Sequence, residues 1–120
     1  MASSEEQIAR WLIVIDEYGD LAEQKEIRKE LESALTRLGQ KARACGIHLI
    51  VCTQKPAAKI LSTSIRSNLG AQIALRVKDS KDSAMILGES GAEKLLGSGD
   101  ALLNTTQGLT RFQCAVIKPD

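Results

Sequence analysis

Aromatic side chains are nearly absent: 120 residues hold one Trp, one Tyr and one Phe. A platform for single-stranded nucleic acid stacks bases on aromatic faces, so this composition argues against one. Long apolar runs are missing too. None approaches the ~18–20 residues of a membrane span, and the start Met-Ala-Ser-Ser-Glu-Glu is no signal peptide. The segment is therefore expected to make no membrane contact and to work in the cytoplasm. Cys45, Cys52 and Cys114 are odd in number and share no metal-ligand spacing, which fits free thiols in a reducing compartment. The only histidine, His48, lies inside an apolar run and reads as a core or strand residue rather than a ligand. Acidic residues are lacking from one stretch: residues 33–78 carry eight bases and no acid, between a segment 1–32 with nine acids and four bases and a segment 79–120 with six acids and four bases. Such a middle could present a positive face to phosphates, and some of its bases are ordinary solvated helix residues.

What is present begins with Trp11-Leu12-Ile13-Val14-Ile15, which ends in the adjacent carboxylates Asp16 and Glu17. A continuous apolar run fits a strand buried on both faces of a parallel sheet. Acids at its end would stand at the carboxyl edge, where α/β proteins bind ligands. They also fit a plain acidic helix start. Tyr18-Gly19 offers a turn, and Asp20 with Glu23 a capping box for a helix over about 22–45. Its apolar face is Ile27, Leu31, Ala34, Leu35, Leu38, Ala42 and Cys45. Gly46 suits a left-handed helix stop. A second strand, residues 47–52, ends in the polar turn Thr53-Gln54-Lys55-Pro56. Then follow a short helix over 58–67, a strand over 71–77, helical turns over 80–87 and 90–96, and strands over 100–103 and 110–117 joined at Gly108. This alternation predicts an α/β fold, mainly parallel with flanking helices and antiparallel toward the end. The right-handed crossover would bring Asp16-Glu17 and Thr53-Gln54 to one edge, where paired carboxylates beside an amide suit water activation. The length suits one domain, residues 11–120, after an extension at 1–10.

A phosphate cradle of the form Gly-x-x-x-x-Gly-Lys-Ser/Thr does not occur; Gly88, Gly91 and Lys94 have the wrong spacing. Such a loop supplies the amides and lysine that hold β- and γ-phosphates. Alone, the chain is therefore expected to bind ATP poorly and to hydrolyse it negligibly.

The ordered runs LIVIDEYGDL, LGQKARACGIHLIVCTQKP, SNLGAQIALRV and GAEKLLGSGDALL resemble the C-terminal half of the motor domain of the FtsK/SpoIIIE DNA translocases, across about residues 11–117. The resemblance implies part of a RecA-like ATPase that forms a ring, usually a hexamer, around double-stranded DNA, with ATP and Mg²⁺ as cofactors of the parent protein. It aligns Asp16 with the Walker B aspartate that supports Mg²⁺ through water, Glu17 with the catalytic glutamate and Gln54 with the polar sensor. These three form the implied nucleotide-binding and catalytic set. Lys94 aligns with a DNA-facing loop lysine, and Lys81 and Ser98 fall at further DNA-binding positions. Four positions depart from the family pattern by losing an arginine: Lys55, Gln72, Ala84 and Ser98. Lysine copies arginine's planar fork only in part, and the others do not copy it. The missing cradle is most simply explained by truncation upstream, which would leave apolar sheet surface open to self-association. A place in DNA-modification-dependent restriction or phage defense is one expectation. The alternatives are a type VII secretion or conjugative ATPase, and a non-catalytic binding or assembly module.

Overall fold

The computed structural model describes residues 9–54, 57 and 60–119, apart from the side chain of Arg43. The chain divides into two compact units, residues 1–55 and 56–120. Most of the extension at 1–10 lies outside the described residues, as do Lys55, Pro56, Ala58 and Lys59.

In the first unit β1 (Trp11–Ile15) pairs in parallel with β2 (Ile47–Val51), in register from Trp11 opposite Ile47 to Ile15 opposite Val51. Parallel neighbours need a long crossover. Here it runs through α1 (Tyr18–Ala22) and α2 (Lys25–Cys45), which packs on α1 and β2. The helix stops as the sequence implies. Gly46 takes a positive φ of 72°, and its carbonyl accepts the Trp11 amide at 3.0 Å, so the end of α2 also starts the ladder. Leu35 and Ala42 bury the inner stripe of α2, beside Tyr18 and Ala22 of α1. A buried leucine of this kind contributes about 1.5–3 kcal/mol.

Two local expectations are corrected. Tyr18-Gly19 is the first turn of a helix, so Asp20 lies within α1 rather than at the start of the long helix α2. Nor is β1 buried on both faces: Leu12 and Val14, opposite His48 and Ile50, remain largely exposed, and Trp11 is 64% exposed. The alternate residues Ile13, Ile15, Leu49 and Val51 are half-buried. The apolar run predicts two covered faces, yet the period-2 alternation shows cover on one.

In the second unit β3 (Gln72–Ala74), β4 (Asp100–Thr105) and β5 (Gly108–Gln113) form an antiparallel sheet in that order. Thr106-Gln107 make the β4–β5 turn, and Gly108 supplies a positive φ of 110°. Before β3 lies α3 (Thr63–Asn68), capped by the Ser62 hydroxyl accepting the Ile65 amide at 3.2 Å. Between β3 and β4 lie α4 (Ser80–Leu87) and a 3₁₀ turn at Ala92–Lys94. Asp79 caps α4 by accepting the Asp82 amide at 2.9 Å, and Gly88 ends it in the left-handed conformation. Ala74, Leu87, Ala92 and Leu95 form the core, with Val77, Ile86 and Leu102 against it. The expected strands at 71–77 and 110–117 are shorter, and the helices expected at 58–67 and 90–96 settle as α3 and the 3₁₀ turn. Propensity suggests such elements, but the length of sheet partner and the positive-φ glycines fix where they end.

Candidate functional site

The carboxyl ends of β1 and β2 do meet. Glu17 follows the strand in the left-handed conformation, with φ 51° and ψ 58°. For a residue with a Cβ that conformation carries strain of about 1–2 kcal/mol. It persists because both flanks are tied down. The Cys52 amide donates to the Ile15 carbonyl at 2.9 Å, and the Tyr18 amide donates to the Cys52 carbonyl at 2.7 Å. The kink turns the Glu17 side chain toward the neighbouring strand end. There its Oε1 accepts the Thr53 hydroxyl at 3.3 Å and the Gln54 main-chain amide at 3.2 Å.

The half-buried Glu17 carboxylate is thereby oriented from two sides, while the preceding Asp16 is exposed. Gln54 contacts Glu17 through its backbone; its own side chain is exposed. The hydroxyl of Thr53 carries the side-chain contact. Sequence reasoning placed Thr53 at this edge without giving it a role, and the signal available was a hydroxyl one residue before the aligned glutamine.

Mg²⁺ usually takes one or two carboxylates and completes its shell with water and phosphate oxygens. The exposed Asp16 carboxylate is a donor of that kind, beside the hydrogen-bonded Glu17. Among the described residues no group of three or more His, Cys, Asp or Glu could hold a metal ion.

Lys94, Ser98 and Lys81 lie in the second unit, and all three are exposed. Lys94 ends the 3₁₀ turn, Ser98 sits in the turn Gly97-Ser98-Gly99 and Lys81 lies in the first turn of α4. The loop bearing Lys94 and Ser98 is braced from several sides. The buried Ser83 hydroxyl donates to the Glu89 carbonyl at 2.7 Å and accepts the Ala92 amide at 3.0 Å. The Glu93 carboxylate accepts the Gly91 amide. Asp100 accepts the Leu96 amide at 2.8 Å and a forked pair from Arg111, Nε to Oδ1 at 2.9 Å and Nη2 to Oδ2 at 2.5 Å. Hydrogen bonding to Arg111, then to the Leu96 amide, holds the Asp100 carboxyl down to about 2. Beyond it, the Gln113 side-chain amide donates to the Ser98 carbonyl at 2.7 Å, and the Cys114 amide donates to the Gly99 carbonyl at 2.8 Å.

Gly97, Ser98 and Gly99 have φ values of 87°, 54° and 91°. Three successive positive-φ residues make a tight left-handed turn, which glycine adopts freely and serine does not. The Asp100–Arg111 pair was not found from the sequence. Its residues face diagonally across β4 and β5, a relation visible only once the hairpin register is known.

Two solved structures share this architecture. The pCW3 conjugation coupling protein TcpA, in its monomer form with ATPγS, matches with a TM-score of 0.80 at 31% identity, over 92% of this chain and 33% of that one. The cytoplasmic domain of the Thermomonospora curvata type VII secretion ATPase EccC matches with a TM-score of 0.76 at 29% identity, over 92% of this chain and 13% of that one. The fold is thus the RecA-like ATPase fold expected, with a parallel and an antiparallel sheet.

The FtsK/SpoIIIE family model matches residues 2–58. The DNA translocase FtsK of Streptococcus agalactiae is 48% identical over 103 residues, 84% of this chain and 12% of that protein. That of Borreliella burgdorferi is 47% identical over 91 residues, 76% of this chain and 11% of that protein. This chain belongs to the FtsK/SpoIIIE family. It spans about an eighth of the length of the curated relatives it matches. Among the described residues no helix is long and apolar enough to cross a membrane.

Proposed function

We propose that the chain supplies the Walker B, sensor and DNA-facing half of an ATP-driven double-stranded DNA translocase, acting in the cytoplasm as a ring, in the family manner a hexamer. The observation that carries this reading is the Glu17 carboxylate, kinked out of β1 and held by Thr53 and Gln54 at the shared strand end. The 48% identity to a DNA translocase supports the choice of motor.

In this reading Asp16 would hold Mg²⁺ through water, and the ion would supply neutralisation of the phosphate charge. Glu17 orients and polarises the attacking water. The two donors on Oε1 fix the carboxylate plane, so that no rotamer search precedes proton transfer. Gln54 senses the phosphate or water from the neighbouring strand. The phosphate cradle comes from a Gly-Lys-Ser/Thr loop upstream in the parent polypeptide, and without it this chain turns over ATP negligibly. Lys94, Lys81 and Ser98 meet the DNA backbone, a sequence-blind and salt-sensitive contact. A place in modification-dependent restriction or phage defense extends the same reading and rests on the altered positions 84 and 98.

The superposition on a conjugation coupling protein favours one second reading, a conjugative ATPase moving single-stranded DNA. ATPase assays on this chain and on a version extended upstream through a Gly-Lys-Ser/Thr loop test both. Turnover only in the extended form, stimulated more by duplex than by single strands, is the expected result. Turnover in neither form overturns the motor reading, and stimulation by single strands alone transfers it to the conjugative class.

A further inference from the structure

The second unit contains three arginines, and they are used differently. Arg66 donates through Nη1 to the Ala84 and Met85 carbonyls, at 2.9 and 3.3 Å, and so caps the C-terminal end of α4. Arg111 is forked onto Asp100. Arg76 is exposed, and among the described residues it has neither a carboxylate nor a carbonyl partner.

Its position is nonetheless defined. The side chain lies along the Gly97-Ser98-Gly99 turn: a Cβ placed on Gly97 would stand 3.8 Å from Arg76 Cδ and 3.9 Å from its Nη1. The next residue, Val77, donates its amide to the Ala92 carbonyl at 3.3 Å, which holds this backbone beside the 3₁₀ turn that ends in Lys94. An uncommitted guanidinium thus rests on a braced turn whose own central side chain is an uncharged serine.

We propose that Arg76 is a phosphate-contacting residue of the DNA interface, supplying at the Gly97-Ser98-Gly99 turn the cationic fork that Ser98 lacks. This inference rests on the DNA-translocase reading. A planar guanidinium matches two phosphate oxygens at once, whereas an ammonium offers a point charge. Gly97 suits this turn through its positive φ of 87°, and a Cβ there would make only ordinary contact with the Arg76 stem.

Titrating a labelled duplex with the full chain, with Arg76→Ala and with Arg76→Lys across a salt series tests the assignment. Arg76→Ala is expected to weaken binding about fivefold to tenfold at low salt and to reduce the slope of log K against log salt by about 0.9, the loss of one phosphate contact. Arg76→Lys should keep the slope and lose part of the affinity. Because the side chain is exposed, thermal melting should be unchanged.

Duplex binding by the parent chain with an unchanged Arg76→Ala affinity and slope overturns this inference and leaves the translocase reading standing. Failure of the parent chain itself to bind duplex overturns the reading on which it rests. If Arg76→Ala leaves duplex binding intact but lowers DNA-free ATP turnover of the upstream-extended form, the phosphate is the nucleotide's, and the DNA assignment is wrong.

Discussion

Among the described residues, two with a Cβ adopt a positive φ, and each unit holds one: Glu17 at 51° and Ser98 at 54°. Both sit at positions given a functional role, and both turns are pinned by bonds from neighbouring strands. The purposes differ. At Glu17 the left-handed kink aims the side chain, whose carboxylate is then caught by the hydroxyl and the amide of the next strand end. At Ser98 it is the backbone that is fixed, through Gln113, Cys114 and the Asp100–Arg111 fork, while the side chain stays in solvent. The first unit therefore orients one chemical group, and the second holds a rigid loop on which charges are presented. Water activation needs sub-ångström placement of one acid. Phosphate contact tolerates long, mobile cations, provided that their base is fixed.

If Glu17 is oriented chiefly by its two donors, removing the side-chain donor breaks the first half of this comparison. Thr53→Val in the upstream-extended polypeptide should lower ATP turnover about tenfold, as loss of a hydrogen bond to a charged group implies. Thr53→Ser should restore most of it. Turnover unchanged in Thr53→Val would mean that the backbone amide alone sets the carboxylate.

A smaller effect lies beside the same kink. Tyr18 is fully buried, and among the described residues its hydroxyl has no hydrogen-bond partner. Tyr18→Phe should stabilise the chain by about 1 kcal/mol, the penalty of an unsatisfied buried hydroxyl being removed. Burial first, and the Glu32 charge second, raise the tyrosine's ionisation above its ordinary 10.0. The stability this adds is complete below pH 10 and is lost as the pH rises past the raised value, a limb that Tyr18→Phe should not show in chemical denaturation. A destabilised Tyr18→Phe would mean that the hydroxyl has a partner.

The weakest effect is expected from the fork that braces the second loop, because the Arg111 side chain is 56% exposed and its pairing is screened by solvent. With the Asp100 carboxyl held at about 2 instead of 3.8, its contribution is complete above pH ~4 and disappears as the pH falls through ~2. Melting temperature followed over that window should fall less in Asp100→Asn than in the parent chain. Parallel curves would remove the pair from the account.

The parallel β1–β2 pair, the long crossover helix, the stop at Gly46 and the convergence of Glu17 with the end of β2 were all legible from apolar periodicity and from the punctuation of the chain. What the sequence hid were matters of register and exposure. An apolar strand reads alike whether one face or two are covered; Leu12 and Val14 face solvent, against a strand covered on both faces but in line with the open apolar sheet surface also expected. Local capping signals at Asp20 and Glu23 gave way to a helix that begins at Tyr18, because the Tyr18 amide is already claimed by the Cys52 carbonyl. Contacts that depend on a hairpin register, Asp100 with Arg111 and Gln113 with Ser98, have no local signature at all.

Glu17→Gln keeps the shape of the side chain and removes its capacity to take a proton. In the upstream-extended polypeptide, nucleotide affinity should stay within about twofold of the parent while turnover falls by about 10²–10⁴, the range assigned to a positioned general base. Turnover at the parent rate, with the carboxylate gone, would contradict the assignment of Glu17 and with it the central claim that this strand end is where water is activated.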